Sequence, residues 1–533
     1  MGRAKVIEYY NDRYKGSLSE EECKNLEILI NLDKENGCVS DLRHIIYNMK
    51  DTDVAEYINN MDMFNNPMKE FEKPYGTLKD YQTIGVAYMY NAENCILGDS
   101  VGMGKTVEIS GLFNLLKVQY FNDGKNFRYL FLTEKNIVDQ TRTELVKFTG
   151  DYNILVPSGE VKVIDHFIEC NPYDCELDYS VVGTHALFTT AKFLGWLEQC
   201  RQYGAGFPFD MLVVDESSPL GGKSSNQIVT GYKNISKYFK RIVFLNATPF
   251  ETKLEIFYNQ LSLLDKAMMP TKTNFTKQYC LMDYRGMYPR PTGKYKNQEE
   301  FKRLIAYRYF ARTRRDKGAE MIDSEGGVIF SPLSDIQKEW LRKTQLNRVV
   351  YDCPTHLDPS IEFCKENVPK LGSLHELIQT KCADADSILV FVHFKEAQYC
   401  LSKWFTERGY TNRVLNGETD NKERANIIKG FKNKEYRILL TNVQKGLNFG
   451  DCDYCIFYSF DPNPSKMIQF EGRTTRDFDI VGKNVYILCS RGKEEKQLKD
   501  VVKQRAKATS DMTNTDLSVV MNILLEGMNE DEE

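Results

Sequence analysis

The 533-residue chain contains no apolar run near the roughly 18 residues that a membrane-spanning helix requires, and no membrane partner is expected. Its N-terminus, MGRAKVIEYY, has no apolar signal core and no Ser or Thr at position 6, so neither a secretory leader nor the myristoylation pattern is read there. A cationic excess is missing too. Lys and Arg number 70 against 75 Asp and Glu, a formal net charge of -5. That argues against coating nucleic acid by bulk charge, but it leaves room for a local groove of backbone N–H groups and hydroxyls. The 14 cysteines lack regular spacing. Cys452 and Cys455 form a C-x-x-C without a second pair, and Cys353, His356, Cys364 and Cys382 are irregularly spaced, so structural zinc is not expected. Reduced thiols in the cytoplasm, or in the host cell's cytoplasm for a viral chain, are the expectation.

What is present is ordinary globular composition, 42% hydrophobic and 27% charged, in a chain too long for one core. Residues 1–72 show helical spacing, as in EECKNLEILINL, and are read as a helical appendage, a candidate docking element for a protein partner. From 73 to 325, NCILGD, RYLFLT, YSVVGT, MLVVDE and RIVFLNAT read as buried strands separated by helical stretches, with a helical protrusion after them. From 326 to 500, SILVFVHF, RVLNGE, RILLTN, DYCIFYSF and NVYILCS repeat the design beside a helical insertion. Residues 501–533 read as a C-terminal helix and an acidic tail. The fold class is α/β, two tandem parallel-sheet lobes, with functional residues at the carboxyl ends of the strands.

Three motifs carry chemistry. ILGDSVGMGKTVEI, residues 96–109, runs from strand through a Gly-rich turn into a helix, the context of a phosphate cradle. Gly102 and Gly104 let the backbone approach phosphates, Lys105 reaches the outer phosphates of ATP, and Thr106 offers a hydroxyl to Mg2+. MLVVDESS ends a strand in Asp215, a candidate for the metal shell, and Glu216, a candidate for activating water. IQFEGRTTRDF places Arg473 and Arg476 on one helical face, where two cations could neutralise charge on the transferred phosphoryl group.

The order of these motifs is similar to that of helicase superfamily two, and specifically of its Swi/Snf-type double-stranded DNA translocases, over residues 76–505. LKDYQTIGVAYM resembles the Q-type motif, which would make Gln82 the adenine reader. GDSVGMGKT resembles the family's phosphate loop with Ser100 in place of Glu, and DESSPLGG its Asp-Glu box with Ser218 in place of His. FLNATPF looks like motif III, with Thr248 as the coupling residue. LLTNVQKGLNF and DPNPSKMIQFEGRTTR are similar to motifs V and VI, with Gly446 near the nucleotide and Pro462 where the family has Trp. The resemblance implies RecA-like lobes, ATP and Mg2+, and a groove on double-stranded DNA. Thr133, Thr184, Lys395, Thr441 and Asn448 are the implied phosphate contacts. A DNA-stimulated ATPase that translocates on duplex and remodels DNA–protein complexes or DNA intermediates is the first expectation. A strand-separating or branch-migrating helicase of repair or recombination is the alternative in the same class, and an inactive motor kept as a binding scaffold is the one outside it.

Overall fold

In the computed structural model, the described residues are 78–501 apart from 152, 157–179, 204–207, 223–225, 248, 250–253, 267–268, 286–288, 306–307, 313–319, 322–325, 345–347, 444–448, 450–451, 460–466, 468–469, 471–479 and 482–483. The expected appendage over 1–72 and the tail beyond Val501 lie outside them. The chain divides into two compact units, the first running to Thr313 and the second beginning at Arg314.

The first unit is built on β1 (Asn94–Leu97), β2 (Tyr129–Thr133), β3 (Ile154–Leu155), β4 (Ser180–Thr184), β5 (Met211–Asp215) and β6 (Arg241–Leu245). A small antiparallel pair, β7 (Cys280–Asp283) and β8 (Arg290–Tyr295), stands apart from the sheet, and β9 (Tyr309–Phe310) returns to it. The sheet is parallel with seven strands in the order β3-β4-β2-β5-β6-β1-β9. Successive side chains of one strand point to opposite faces, and here both faces are buried. Leu130 and Leu132, Leu212 and Val214, and Ile242 and Phe244 enter one core. Tyr129 and Phe131, Met211 and Val213, and Val243 and Leu245 enter the other. This is why the strands read as continuous apolar runs. The helix Lys105–Asn122 has nine consecutive buried residues, Glu108 to Leu116, because it is packed all round; Phe113 stacks on Tyr129 at 3.9 Å.

The second unit contains β10 (Glu320–Met321), β11 (Gly326–Ser331), β12 (Ile388–Phe391), β13 (Asn412–Leu415), β14 (Ile438–Thr441), β15 (Tyr454–Phe457), β16 (Ile480–Val481) and β17 (Asn484–Ser490). Its main sheet is parallel with six strands, β11-β17-β15-β12-β14-β13, and β10 pairs separately with β16. Alternation sorts Leu389, Phe391, Leu439 and Cys455 to one core and Ile388, Val390, Leu440 and Ile456 to the other. A fully buried Lys370 ties three helices together, with Nζ 2.9 Å from both Asp352 Oδ1 and Glu494 Oε2. Burial disfavours its charge, yet the two carboxylates hold its pKa above the ordinary lysine value. These are two RecA-like lobes, each with its parallel sheet buried between helices.

Close packing in the first lobe is tested at Gly231, on the helix Gln227–Ser236, where an added Cβ would lie 1.7 Å from the Phe188 carbonyl oxygen. Gly231→Ala is expected to cost about 1–3 kcal/mol of stability. A urea titration reads this as a lower midpoint at unchanged slope.

Candidate nucleotide site

β1 and β5 are parallel, so the loops that follow them open on the same edge of the first sheet. After β1 the chain passes through Gly102 and Gly104, at φ 83° and 85°, before the helix begins at Lys105. A side chain at Gly104 would be strained there, and its Cβ would meet Gln82 Nε2 at 2.7 Å. The turn is held from below. The Tyr81 hydroxyl donates to the Met103 carbonyl at 2.7 Å, and Gln82 Nε2 donates to the same oxygen at 3.3 Å. Gln82 Oε1 accepts from the Lys79 backbone N–H at 3.0 Å. Both ends of this nearly buried amide are thus engaged with protein.

Lys105 Nζ donates to the carbonyl oxygens of Asp99 at 2.7 Å and Ser100 at 3.3 Å. Burial lowers its pKa, against the opposing pull of Glu216, Asp99, Asp215 and Glu108. The same burial raises the pKa of Asp215, against Lys105 and a hydrogen bond from Thr133 Oγ1 to Asp215 Oδ2 at 3.0 Å. His185 Nε2 lies 2.8 Å from the Asp215 carbonyl oxygen and fixes the strand end from the other side. Glu216 adopts φ 48°, a left-handed conformation costing about 1–3 kcal/mol in a non-glycine residue. Asn246 closes the arrangement. Its N–H donates to the Leu97 carbonyl at 3.1 Å, and its side-chain amide reaches Ser218 Oγ at 3.2 Å.

Under the loop sits a buried ionic cluster. Asp99 accepts from the Arg312 N–H at 3.0 Å, from Nε at 3.2 Å and from Nη2 at 2.5 Å. Arg312 Nη2 also reaches Glu108 Oε1 at 2.8 Å, and Nη1 donates to the Tyr81 carbonyl. The guanidinium lies over the Phe310 ring, 4.6 Å from its centroid. Burial, only partly offset by Arg312, pushes the Glu108 carboxyl well above the usual range. Nothing in the spacing of the motifs flagged Glu108, Arg312, His185 or Asn246. Glu108 stood inside ILGDSVGMGKTVEI and Asn246 inside FLNATPF, each without an assigned role.

A family model described as "SNF2-related domain" matches residues 81–413, and one described as "Helicase conserved C-terminal domain" matches residues 369–477. The chain belongs to the SNF2-related family. It is an ATPase core of helicase superfamily two. Chromodomain-helicase-DNA-binding protein 1-like of Danio rerio is 23% identical over 474 residues, 82% of this chain and 43% of the relative. Human Chromodomain-helicase-DNA-binding protein 7 is 21% identical over 486 residues, 79% of this chain and 15% of the relative. The SNF2-related chain spans less than half the length of either. It is also similar to the solved Sulfolobus solfataricus SWI2/SNF2 ATPase core in complex with dsDNA, at 18% identity, TM-score 0.39, and 86% and 96% coverage of the two chains.

Within this SNF2-related core the structure places Lys105, Thr106, Asp215 and Glu216 on one edge of the first sheet. Thr133 is fully buried with its hydroxyl turned onto Asp215. Thr184, half-buried, is its register partner on β4. In the second lobe Thr441 is also fully buried, and its hydroxyl accepts from the Val443 N–H at 3.0 Å. Lys395 is half-buried and paired with Glu418 at 2.6 Å. Thr248, Gly446, Asn448, Arg473 and Arg476 lie outside the described residues.

Arg312→Met would leave Asp99 and Glu108 buried without their cation. It is expected to destabilise the protein by roughly 3–5 kcal/mol, read in the same urea titration. Lys105→Ala should instead leave the unfolding midpoint near that of the parent protein while abolishing ATP turnover in a phosphate-release assay.

Proposed function

We propose that this chain hydrolyses ATP in response to double-stranded DNA and uses the cycle to translocate along the duplex. The observation that carries the proposal is the convergence of Lys105, Asp215 and a strained Glu216 beside a loop whose two glycines are left-handed. Four carboxyl groups, those of Asp99, Glu108, Asp215 and Glu216, surround the two cations Lys105 and Arg312, and that acidic excess fits a divalent cation. Asp215 and Thr106 would hold Mg2+, which supplies charge neutralisation at the phosphates when bound. Lys105 would bind the outer phosphates of ATP, the backbone at Gly102 and Gly104 would lie against them, and Gln82 would sit by the base. Glu216 would take the proton of the attacking water.

The family resemblance supports assigning Arg473, Arg476 and Gly446 to the same nucleotide from the second lobe. Thr184, Lys395, Thr441 and Asn448 are proposed along the DNA backbone, with Thr248 relaying between the two ligands. Thr133 is proposed to act through Asp215 rather than on DNA, because its hydroxyl is already spent there. Hydroxyls and backbone donors grip phosphates without reading bases, so sequence preference should be slight. Remodelling of DNA–protein complexes and a protein partner for residues 1–72 belong to this reading, as do the domain limits near 72, 325 and 500 and a cytoplasmic setting.

The test is ATPase rate at fixed salt with duplex, single-stranded, forked and RNA ligands. Duplex should stimulate most, and displacement of a triplex strand should proceed without strand separation. Equal stimulation by RNA, or unwinding of forked DNA, would replace translocation by a strand-separating activity. Arg476→Ala should keep nucleotide binding but lower turnover by about 10³-fold or more; unchanged turnover would remove that arginine from the chemistry.

A further inference from the structure

The second lobe holds a pair of thiols that the nucleotide chemistry does not use. Cys353 ends the short helix Val349–Asp352 and opens the 3-10 turn Pro354–His356; it is fully buried. Cys400 lies in the helix Lys395–Thr406 and is half-buried. The pair is 47 residues apart in sequence, yet the two sulfurs are 3.6 Å apart, at van der Waals contact. Thr355 Oγ1 stands 2.9 Å from Cys353 Sγ and 3.7 Å from Cys400 Sγ. A second link spans the same two elements, His356 Nδ1 to Glu396 Oε1 at 3.6 Å. The two sulfurs thus face each other across a preformed contact, one sealed in the core and the other reachable from solvent.

We propose that Cys353 and Cys400 form a site of reversible oxidative modification, closing to an intramolecular disulfide when a peroxide oxidises Cys400. The two positions are chemically unequal. A hydrogen bond from the Cys353 thiol lowers the Cys400 pKa to about 6, with help from Thr355 and Lys403 and against burial and Glu396. The same contact and burial raise that of Cys353. The other ionisable groups in the electrostatic surroundings are His356 from the 3-10 turn, Tyr458 after β15, and Asp352 beside Cys353. Near neutral pH Cys400 is therefore the thiolate, the nucleophilic form.

The Cys400 thiolate attacks one peroxide oxygen, the O–O bond breaks, and the departing hydroxide takes up a proton as water. Cys400 is then a sulfenic acid. The Cys353 sulfur attacks that sulfur, the S–O bond breaks, and the Cys353 proton leaves with the hydroxide as a second water. Two electrons have passed from the sulfur pair to the peroxide. A dithiol reductant reverses the step by thiol–disulfide exchange. The bond would pin the helix that begins at Lys395 to the turn behind it, so its natural consequence is a stiffer second lobe.

The full-length reduced protein is treated with hydrogen peroxide, blocked with N-ethylmaleimide, digested, and mapped by mass spectrometry with and without dithiothreitol. The expected species joins the Cys353 and Cys400 peptides and disappears on reduction, while half-buried Cys364, whose pKa burial raises, stays free at the same dose. Iodoacetamide labelling of Cys400 should reach half its plateau rate near pH 6 and change little above pH 7. Cys400→Ser should abolish the joined species. Oxidation of Cys364 before Cys400, a Cys400 labelling rate that climbs only above pH 8, or joined peptides that leave out this pair would each overturn the proposal. Peptide mapping and the pH profile need no variant, so they decide the matter even if a substitution at buried Cys353 fails to fold.

Discussion

One buried guanidinium sets the charge balance beneath the nucleotide loop. Removing ionisable groups from water costs several kcal/mol each unless they are paired and hydrogen-bonded. Arg312 meets that condition by spreading its donors over Asp99, Glu108 and the Tyr81 carbonyl. Those acceptors belong to the end of β1, the loop helix and the helix Asp80–Ala92, so one side chain holds in register the three elements that shape the phosphate cradle. The second lobe repeats the device with a different cation, Lys370 between Asp352 and Glu494. In both lobes a single positive group shared by two carboxyl groups joins elements distant in sequence.

Ten strands of the two sheets were legible because burial on two faces writes an uninterrupted apolar run, and each of the ten runs quoted from the two lobes overlaps one of them. The phosphate loop and the Asp-Glu strand were legible because glycine and carboxylate at a strand end have few other uses. The two-residue strands β3, β10 and β16 were too short to read, and three further features were hidden for other reasons. β9 is two residues long and sits in an aromatic, basic stretch, so its period could not be seen. β11 carries half-buried rather than buried residues, as an edge strand does, and lacks the apolar signature. The β7–β8 pair was hidden by Pro and Gly in RPTGKY and by exposure of Leu281 and Tyr284.

Side-chain partners were less legible than positions. Gln82 and Thr133 stand where motif order puts them, but their polar atoms are already satisfied by Met103, Lys79 and Asp215. Motif resemblance carries a residue's place along the chain. It does not carry the competition for its hydrogen bonds, which depends on neighbours distant in sequence such as Met103 for Gln82. The departures at Ser100 and Ser218 show the same limit. Ser218 finds Asn246 in the next motif, joining two strand ends without a histidine.

The exit strand β9 has a mechanical consequence. The chain leaves the first lobe through residues 308–312, zipped alongside β1 by three backbone bonds: Ile96 N–H to Arg308 O, Gly98 N–H to Phe310 O and Ser100 N–H to Arg312 O. A pull along β9 would load those bonds in shear, all together, rather than peel them singly. The last of them ends inside the Gly-rich loop after β1, so the chain's way out of the first lobe and that loop share a backbone hydrogen bond.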